Sequence, residues 1–434
     1  MSETPITRVE KLTAAIVNGN VINEKGIPRM AHYLKCIMEG TTATEVPQTR
    51  AEHYLAKIAG MDVQLEKPVT RLEKYLASIA GLSVDLPAPV TRLEHLLYDW
   101  AEASATISGR SVVWGQMVNP ASPYINGTHN GITYSIDSDG VLTIQGTLAQ
   151  GAVNTYRPIV GTGNDGIKLN HKYYGSVGNK NSAFTVWHNA SEVLIKNEGI
   201  FDCKVIGNGV YVYLKDISGG YVVNETLRPQ LFDLTAMFGT TVADAMYSAE
   251  QQTAGAGVAM FKALFPEDYY PYSEPTLVSL NRNTYSLFGL KSWHYGDLEL
   301  RGVPKITDGA ITFDGDVYEG GVVTRNFGTV DLGTLTWYAD PNRAGVFYSA
   351  TLQTKTFANA PLLCAKYASR YTGVPDPNNL ESANKQISLY QSYGGGYVYV
   401  VDLDYASATP AEFKTAMSGV NLIYQLATPT EETT

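Results

Sequence analysis

An arginine returns every 21 residues through the first part of the chain, at Arg8, Arg29, Arg50, Arg71 and Arg92. A fixed period of this kind constrains a fold strongly, because every copy must fold alike and stack on its neighbours. The columns around the arginine also hold. Thr7, Thr49, Thr70 and Thr91 stand one residue before it, and Glu10, Glu52, Glu73 and Glu94 stand two after it. The second copy departs, with Pro28 and Ala31 in those places. Thr-Arg-x-Glu is a capping box: the threonine hydroxyl accepts from the glutamate amide, and the glutamate reaches back to the threonine amide. Apolar residues follow at helical spacing, as Leu72, Leu76 and Ile79 in the fourth copy, Leu55 and Ile58 in the third and Leu97 in the fifth. Gly60 and Gly81 are placed to end a helix in the left-handed region. Pro47, Pro68 and Pro89 precede the next cap and forbid one continuous helix, which excludes a plain coiled coil.

A helix of about a dozen residues is marginal alone in water, so its apolar stripe needs cover. Neighbouring copies supply part of it, and the same segment of other chains is the simplest source of the rest. Residues 1–104 are therefore expected to form a stalk of five short-helix repeats, wound with its symmetry mates as an intertwined homotrimer. Leu55, Ile58, Leu72, Leu76, Ile79 and Leu97 are its packing positions. A monomeric solenoid is the alternative, although solenoid repeats usually run to about 30–45 residues.

After Arg110 the helical phrases stop and short alternating segments begin. "GITYSIDSDGVLTIQGT" predicts a hairpin, with Ile132, Tyr134 and Ile136 alternating, Asp139-Gly140 turning and Val141, Thr143 and Gln145 returning. "VYVYLKD" at 210–216 and "YVYVVDLD" at 397–404 are rich in strand formers. Each is followed by a helix phrase, "AMFKALF" at 259–265 and "AEFKTAM" at 411–417. The expected fold is α+β and multidomain, with the helical repeats followed by β-sandwich or jelly-roll-like domains at 105–275 and 276–434. The echoes between these two segments fit a duplication.

Among 434 residues the formal net charge is -10, which argues against a phosphate backbone as partner. Cys36, Cys203 and Cys364 form neither a disulfide framework nor a zinc pattern. The N-terminus lacks the apolar core of a signal peptide, and no apolar run is long enough to span a membrane. No nucleophile elbow, phosphate loop or metalloprotease motif is present. The carboxylates of "DSDG" at 137–140 and "FDGDVYEG" at 313–320 have near-ligand spacing without completing a calcium loop. No metal, cofactor or catalytic residue is assigned.

The aromatics carry the functional reading. Trp114, Trp187, Trp293 and Trp337 lie in the β portion with most of the 29 tyrosines. Sugar rings stack their C–H faces on aromatic planes and place hydroxyls on polar neighbours. Trp187 with His188 and Asn189, and Trp293 with Tyr295 and Asp297, combine one large ring with hydrogen-bonding groups. These are the candidate glycan-binding residues; the alternative for any tryptophan is a place in a sandwich core.

The tandem "PVTRLEKYLASIAG" phrases resemble the supercoiled helix-turn-helix repeats of head-fibre proteins of small podophages. "LFDLTAMFG", "FPEDYYPY" and "LIYQLATPTEE" resemble β modules of tail-fibre and receptor-binding proteins from phages of Gram-positive gut bacteria. The resemblance implies a non-enzymatic virion protein assembled in the host cytoplasm, trimeric, with heads that bind cell-surface or mucosal glycans. It offers no catalytic residue to carry over. Because the repeats begin almost at residue 1, the first of them are expected to dock on other virion proteins, of the capsid, portal, collar or tail. A tailspike-like depolymerase and a purely structural decoration protein are the alternatives.

Overall fold

A computed structural model describes residues 7–17, 29–39, 41–102, 104–161, 166–178, 184–188, 193–204, 209–280, 282–286, 296–319, 322–350, 352, 361–370, 379–392 and 395–433. The chain is an α+β, multidomain protein.

Each repeat is one helix: α1 (Arg8–Val17), α2 (Arg29–Glu39), α3 (Arg50–Ile58), α4 (Arg71–Ile79) and α5 (Arg92–Glu102). All four capping boxes close. In the third copy Glu52 N donates to Thr49 Oγ1 at 3.2 Å and Thr49 N to Glu52 Oε2 at 3.0 Å. The same reciprocal pair forms at Thr7 and Glu10, Thr70 and Glu73, and Thr91 and Glu94. Gly60 and Gly81 take φ of +82° and +91°, and the amides of Met61 and Leu82 return to Ala56 and Ala77, as left-handed helix ends require.

Two further columns join one copy to the next. In the three middle copies the arginine that opens the helix reaches the capping-box glutamate 23 residues on: Arg29 to Glu52 at 3.3 Å, Arg50 to Glu73 at 3.5 Å and Arg71 to Glu94 at 2.8 Å. The buried tyrosines at 33, 54 and 75 donate to the carbonyls of Glu45, Glu66 and Pro87 at 3.0, 2.5 and 2.6 Å. Each tyrosine thereby ties its helix to the extended segment that follows.

Each helix packs on the next, and α5 also packs on α1, so the five share one apolar core. Leu55, Leu76 and Leu97 are 1–2% exposed and Ile58 and Ile79 are 6% exposed, with Leu72 partly buried against the same core. These six positions, expected to face other chains, are covered within a single chain. The reason is geometric: wrapping brings the first and last repeats together and covers the stripe without a second copy.

The linked carboxylates make this ring acid-sensitive. Arg71, with the Thr91 and Val90 amides, holds the Glu94 carboxyl at about 2. Glu73 is also held low: burial opposes it, but the Thr70 and Val69 amides and Arg50 prevail. Both lie below the ordinary carboxylate value. Their contribution is therefore complete above about pH 4.5 and is lost as pH falls toward about 2. A circular-dichroism acid titration should show helix loss across that window, and Glu94→Gln should flatten it. Superimposable wild-type and Glu94→Gln curves would show that the link contributes nothing.

Residues 111–233 form the first sandwich. One sheet runs Val222–Leu227, Leu142–Thr147, Ile132–Ile136, Gly127–His129, and another runs Thr155–Val160, Val210–Leu214, Phe184–His188, Val193–Lys196. A three-stranded sheet, Glu198–Asp202, Lys172–Ser176, Gln230–Asp233, shares their core. The predicted hairpin forms, with Ile136 opposite Leu142. Its returning strand buries Leu142 and Ile144, leaving Val141, Thr143 and Gln145 on the other side. Helices Leu234–Phe238, Thr240–Gln252 and Ala256–Leu264 pack beside it around Phe232 and Phe261.

The segment after 275 turns back before the second sandwich begins. Thr276–Ser279 pairs with Ser111–Trp114, and Asn283–Ser286 and Gly296–Glu299 flank Ser104–Gly109. The second sandwich places Val317–Glu319, Val322–Asp331, Asn421–Thr433, Leu362–Cys364 against Tyr338–Ala339, Val346–Ser349, Gly395–Val401, Gln386–Ser392, Ala368–Arg370. Helix Pro410–Ala416, with its own Thr409–Glu412 capping box, closes that core through Phe413.

Both sandwiches bury a tyrosine hydroxyl on an aspartate that starts a short helix. Tyr173 donates to Asp233 at 3.3 Å, and Asp233 accepts from Ala236 N at 2.9 Å. Tyr367 donates to Asp402 at 2.9 Å, and Asp402 accepts from Asp404 N at 3.2 Å. Burial, then the aspartate, raises both phenols well above their ordinary range, so they remain protonated donors.

Candidate functional site: two tyrosine-bearing sheet faces

The strands "VYVYL" and "YVYVV" do the same work in the two sandwiches. Side chains alternate across a strand. In Val210–Leu214 the set Val210, Val212 and Leu214 enters the core; Tyr211 and Tyr213 alternate with it, Tyr211 partly exposed and Tyr213 buried at 8%. In Gly395–Val401, Val398 and Val400 enter the core and Tyr397 and Tyr399 take the opposite face.

Neighbouring strands extend each pair of rings into a patch. Tyr213 lies opposite Tyr156, whose ring is 5.5 Å from Tyr211 and 6.0 Å from Tyr213. His129 packs on Tyr156 at 4.3 Å, and Arg157 is fixed beside them by the Ile125 and Asn126 carbonyls. In the second sandwich Tyr338, Tyr348 and Tyr399 occupy successive cross-strand positions. Tyr348 stacks on Tyr338 at 5.5 Å and on Tyr399 at 5.6 Å, with Tyr397 edge-on at 6.0 Å. Tyr338 is 50% exposed, and an ion pair between Arg343 and Asp340 borders the row.

Directly opposed residues on antiparallel strands share a face, so these rings form continuous apolar strips with hydroxyls at their edges. Burial raises the phenols of Tyr211 and Tyr399, with help from Tyr156 in the first. At neutral pH they are hydrogen-bond donors and not anions. Burial, then Arg157, lowers His129, which favours its neutral form. A strip of uncharged phenol rings, bordered by Arg157 in one sandwich and by the Arg343–Asp340 pair in the other, suits a polyhydroxylated ligand that stacks on rings and hydrogen-bonds at its edges.

Of the residues nominated from sequence, Trp187 and His188 occupy Phe184–His188 opposite Tyr211 and Val210, at the edge of the first patch; their side chains lie outside the described residues. Asn189, Trp293 and Tyr295 also lie outside the described residues. Asp297 is on Gly296–Glu299, opposite Thr106, in a different sheet from Trp187 and His188; its side chain is likewise outside the described residues. Trp114 packs among Phe232, Phe265 and Tyr270 at 4.7–5.0 Å, and Trp337 is 4% exposed with its indole N–H on the Leu332 carbonyl. Both are core residues. The tyrosine rows were not nominated from sequence, although the alternation within "VYVYL" and "YVYVV" carried the signal.

The acidic motifs are structural. Asp137 accepts from the Asp139 and Val141 amides in the hairpin turn. Asp316 of the second motif is fully buried on backbone amides and Arg325. Among the described residues no cluster of metal-ligating side chains forms, and no helix is long and apolar enough to cross a membrane. Compared with family models, curated proteins and solved structures, the chain matches none.

Proposed function

We propose that the chain is a glycan-binding structural protein of a bacteriophage virion, a head or tail fibre component. Its helical ring serves attachment, and its two sandwiches hold host-surface or mucosal carbohydrate. The observation that carries the reading is the duplicated tyrosine face. Both sandwiches set tyrosine rings on the side of an equivalent strand opposite its core valines, with Tyr211, Tyr348, Tyr397 and Tyr399 partly exposed and Tyr338 50% exposed. Two weak sites on one chain raise the effective concentration at a repetitive glycan surface.

Assembly as a homotrimer belongs to the same proposal. With the helical stripe covered internally, contacts between copies fall to exposed residues. Val46, Val69 and Val90, one in each of the three described segments between helices, are 71–76% exposed and supply apolar contacts for them. Light scattering on the purified chain should then give three times 47.2 kDa; a mass of one chain at micromolar concentration removes the trimer without touching the sandwiches.

The glycan reading is tested by applying the chain to a glycan array and to host wall polysaccharide. It expects retention without release of new reducing ends. Sugar release would favour a depolymerase, and no retention on any glycan would favour a decoration protein.

A further inference from the structure

A cavity of about 650 Å³ opens between the first sandwich, the Tyr272–Pro275 linker and the second sandwich, away from both tyrosine faces. Its wall combines groups of opposite character. Lys168 enters from the first sandwich and Lys366 from the second. Among the described residues neither forms an ion pair with a carboxylate. The Lys366 ammonium lies 5.7 Å from the Tyr367 ring centre and 5.3 Å from that of Tyr405, held by ring faces and a 3.5 Å contact to the Tyr405 hydroxyl.

The carboxylates at the same cavity are already engaged. Asp233 is bound by His171 Nδ1 at 2.8 Å, and Glu274 accepts from the Tyr272 hydroxyl. Lys385, which also lines the cavity, is taken by Asp402 and Asp404. Both lysines line this one cavity although they come from different sandwiches, and Lys168 also acts on the Asp233 carboxylate.

The remaining wall suits a sugar body. Tyr124 is 52% exposed and its ring packs close to Gly161, where an added Cβ would come within 2.9 Å of a ring carbon. Tyr272 is pushed up to about 12 by burial and by Glu274, while Asn119 bonds its hydroxyl. Tyr272 and Asn119 thus add polar groups to the wall of the same cavity.

We propose that this cavity binds one anionic carbohydrate unit, its carboxylate or phosphate ester between Lys168 and Lys366 and its ring against Tyr124. The site is independent of the tyrosine faces, so either can fail alone.

The test titrates the full chain with glucuronate, glucose phosphate and glucose by calorimetry at low salt. The charged sugars should bind at least about tenfold more tightly than glucose, because a charged hydrogen bond is the stronger kind. Added salt should weaken them. Lys366→Gln and Lys168→Gln, on separate sandwiches, should each lose about tenfold, and Lys414→Gln, on the exposed side of helix Pro410–Ala416, should lose nothing. Preference between the two probes identifies the anion. Equal affinity for glucose, undiminished binding by both lysine variants with unchanged melting, or inorganic phosphate binding as tightly as glucose phosphate would overturn the proposal.

Discussion

Asp316→Ala should destabilise the second sandwich by about 3–5 kcal/mol. The carboxylate is fully buried and accepts from the amides of Arg301, Asn326 and Phe327 at 2.8–3.0 Å and from the Arg325 guanidinium at 3.0 Å. Truncation leaves three buried amides and one face of a largely buried guanidinium unanswered. Arg325 keeps Glu432 at 2.7 Å, but that carboxylate is 50% exposed and cannot replace the buried acceptor. Asp316→Asn retains the shape and should fall between wild type and alanine. Denaturant unfolding checks this, and a loss under about 1 kcal/mol would show that the cluster holds little of the fold together.

The second large effect is expected from Leu76→Asp. Leu76 is 2% exposed in the helical core, and a carboxylate there has no partner, which costs several kcal/mol or forces its protonation. The ring should lose its helical signal cooperatively, because α4 is held on both sides by α3 and α5. If Leu76→Asp instead kept its helix content and melting temperature while the particle mass fell, the residue would face another chain, and the ring closed within one chain would be wrong.

The repeat was legible because its determinants are local. Caps, stop glycines and prolines act within one turn of helix, so Thr70, Glu73 and Gly81 announce their roles in sequence. The arginine column was visible but its purpose was not, since Arg71 meets Glu94 only when the next helix is in place. The packing of α5 on α1 depends on the summed angle of five repeats, which no single residue states. In the β portion, strands and the hairpin followed from alternation. The choice of face did not: Val141 and Leu142 are both apolar, and the register decides which one is buried. The same ambiguity hid the tyrosine rows. Their rings come from strands far apart in the chain, such as Tyr338, Tyr348 and Tyr399, and register alone assembles them. Tryptophan drew attention in sequence by its size, yet Trp114 and Trp337 serve the cores.

The central claim is that the outward tyrosines bind carbohydrate and do not hold up the fold. The direct measurement is retention of the double variant Tyr211→Ala/Tyr399→Ala on the polysaccharide that retains the wild type, with its thermal melt recorded in parallel. The account predicts at least about a tenfold loss of apparent affinity, roughly 1.4 kcal/mol, with a melting curve close to wild type. Undiminished retention, or a binding loss that appears only with loss of folding, would contradict it.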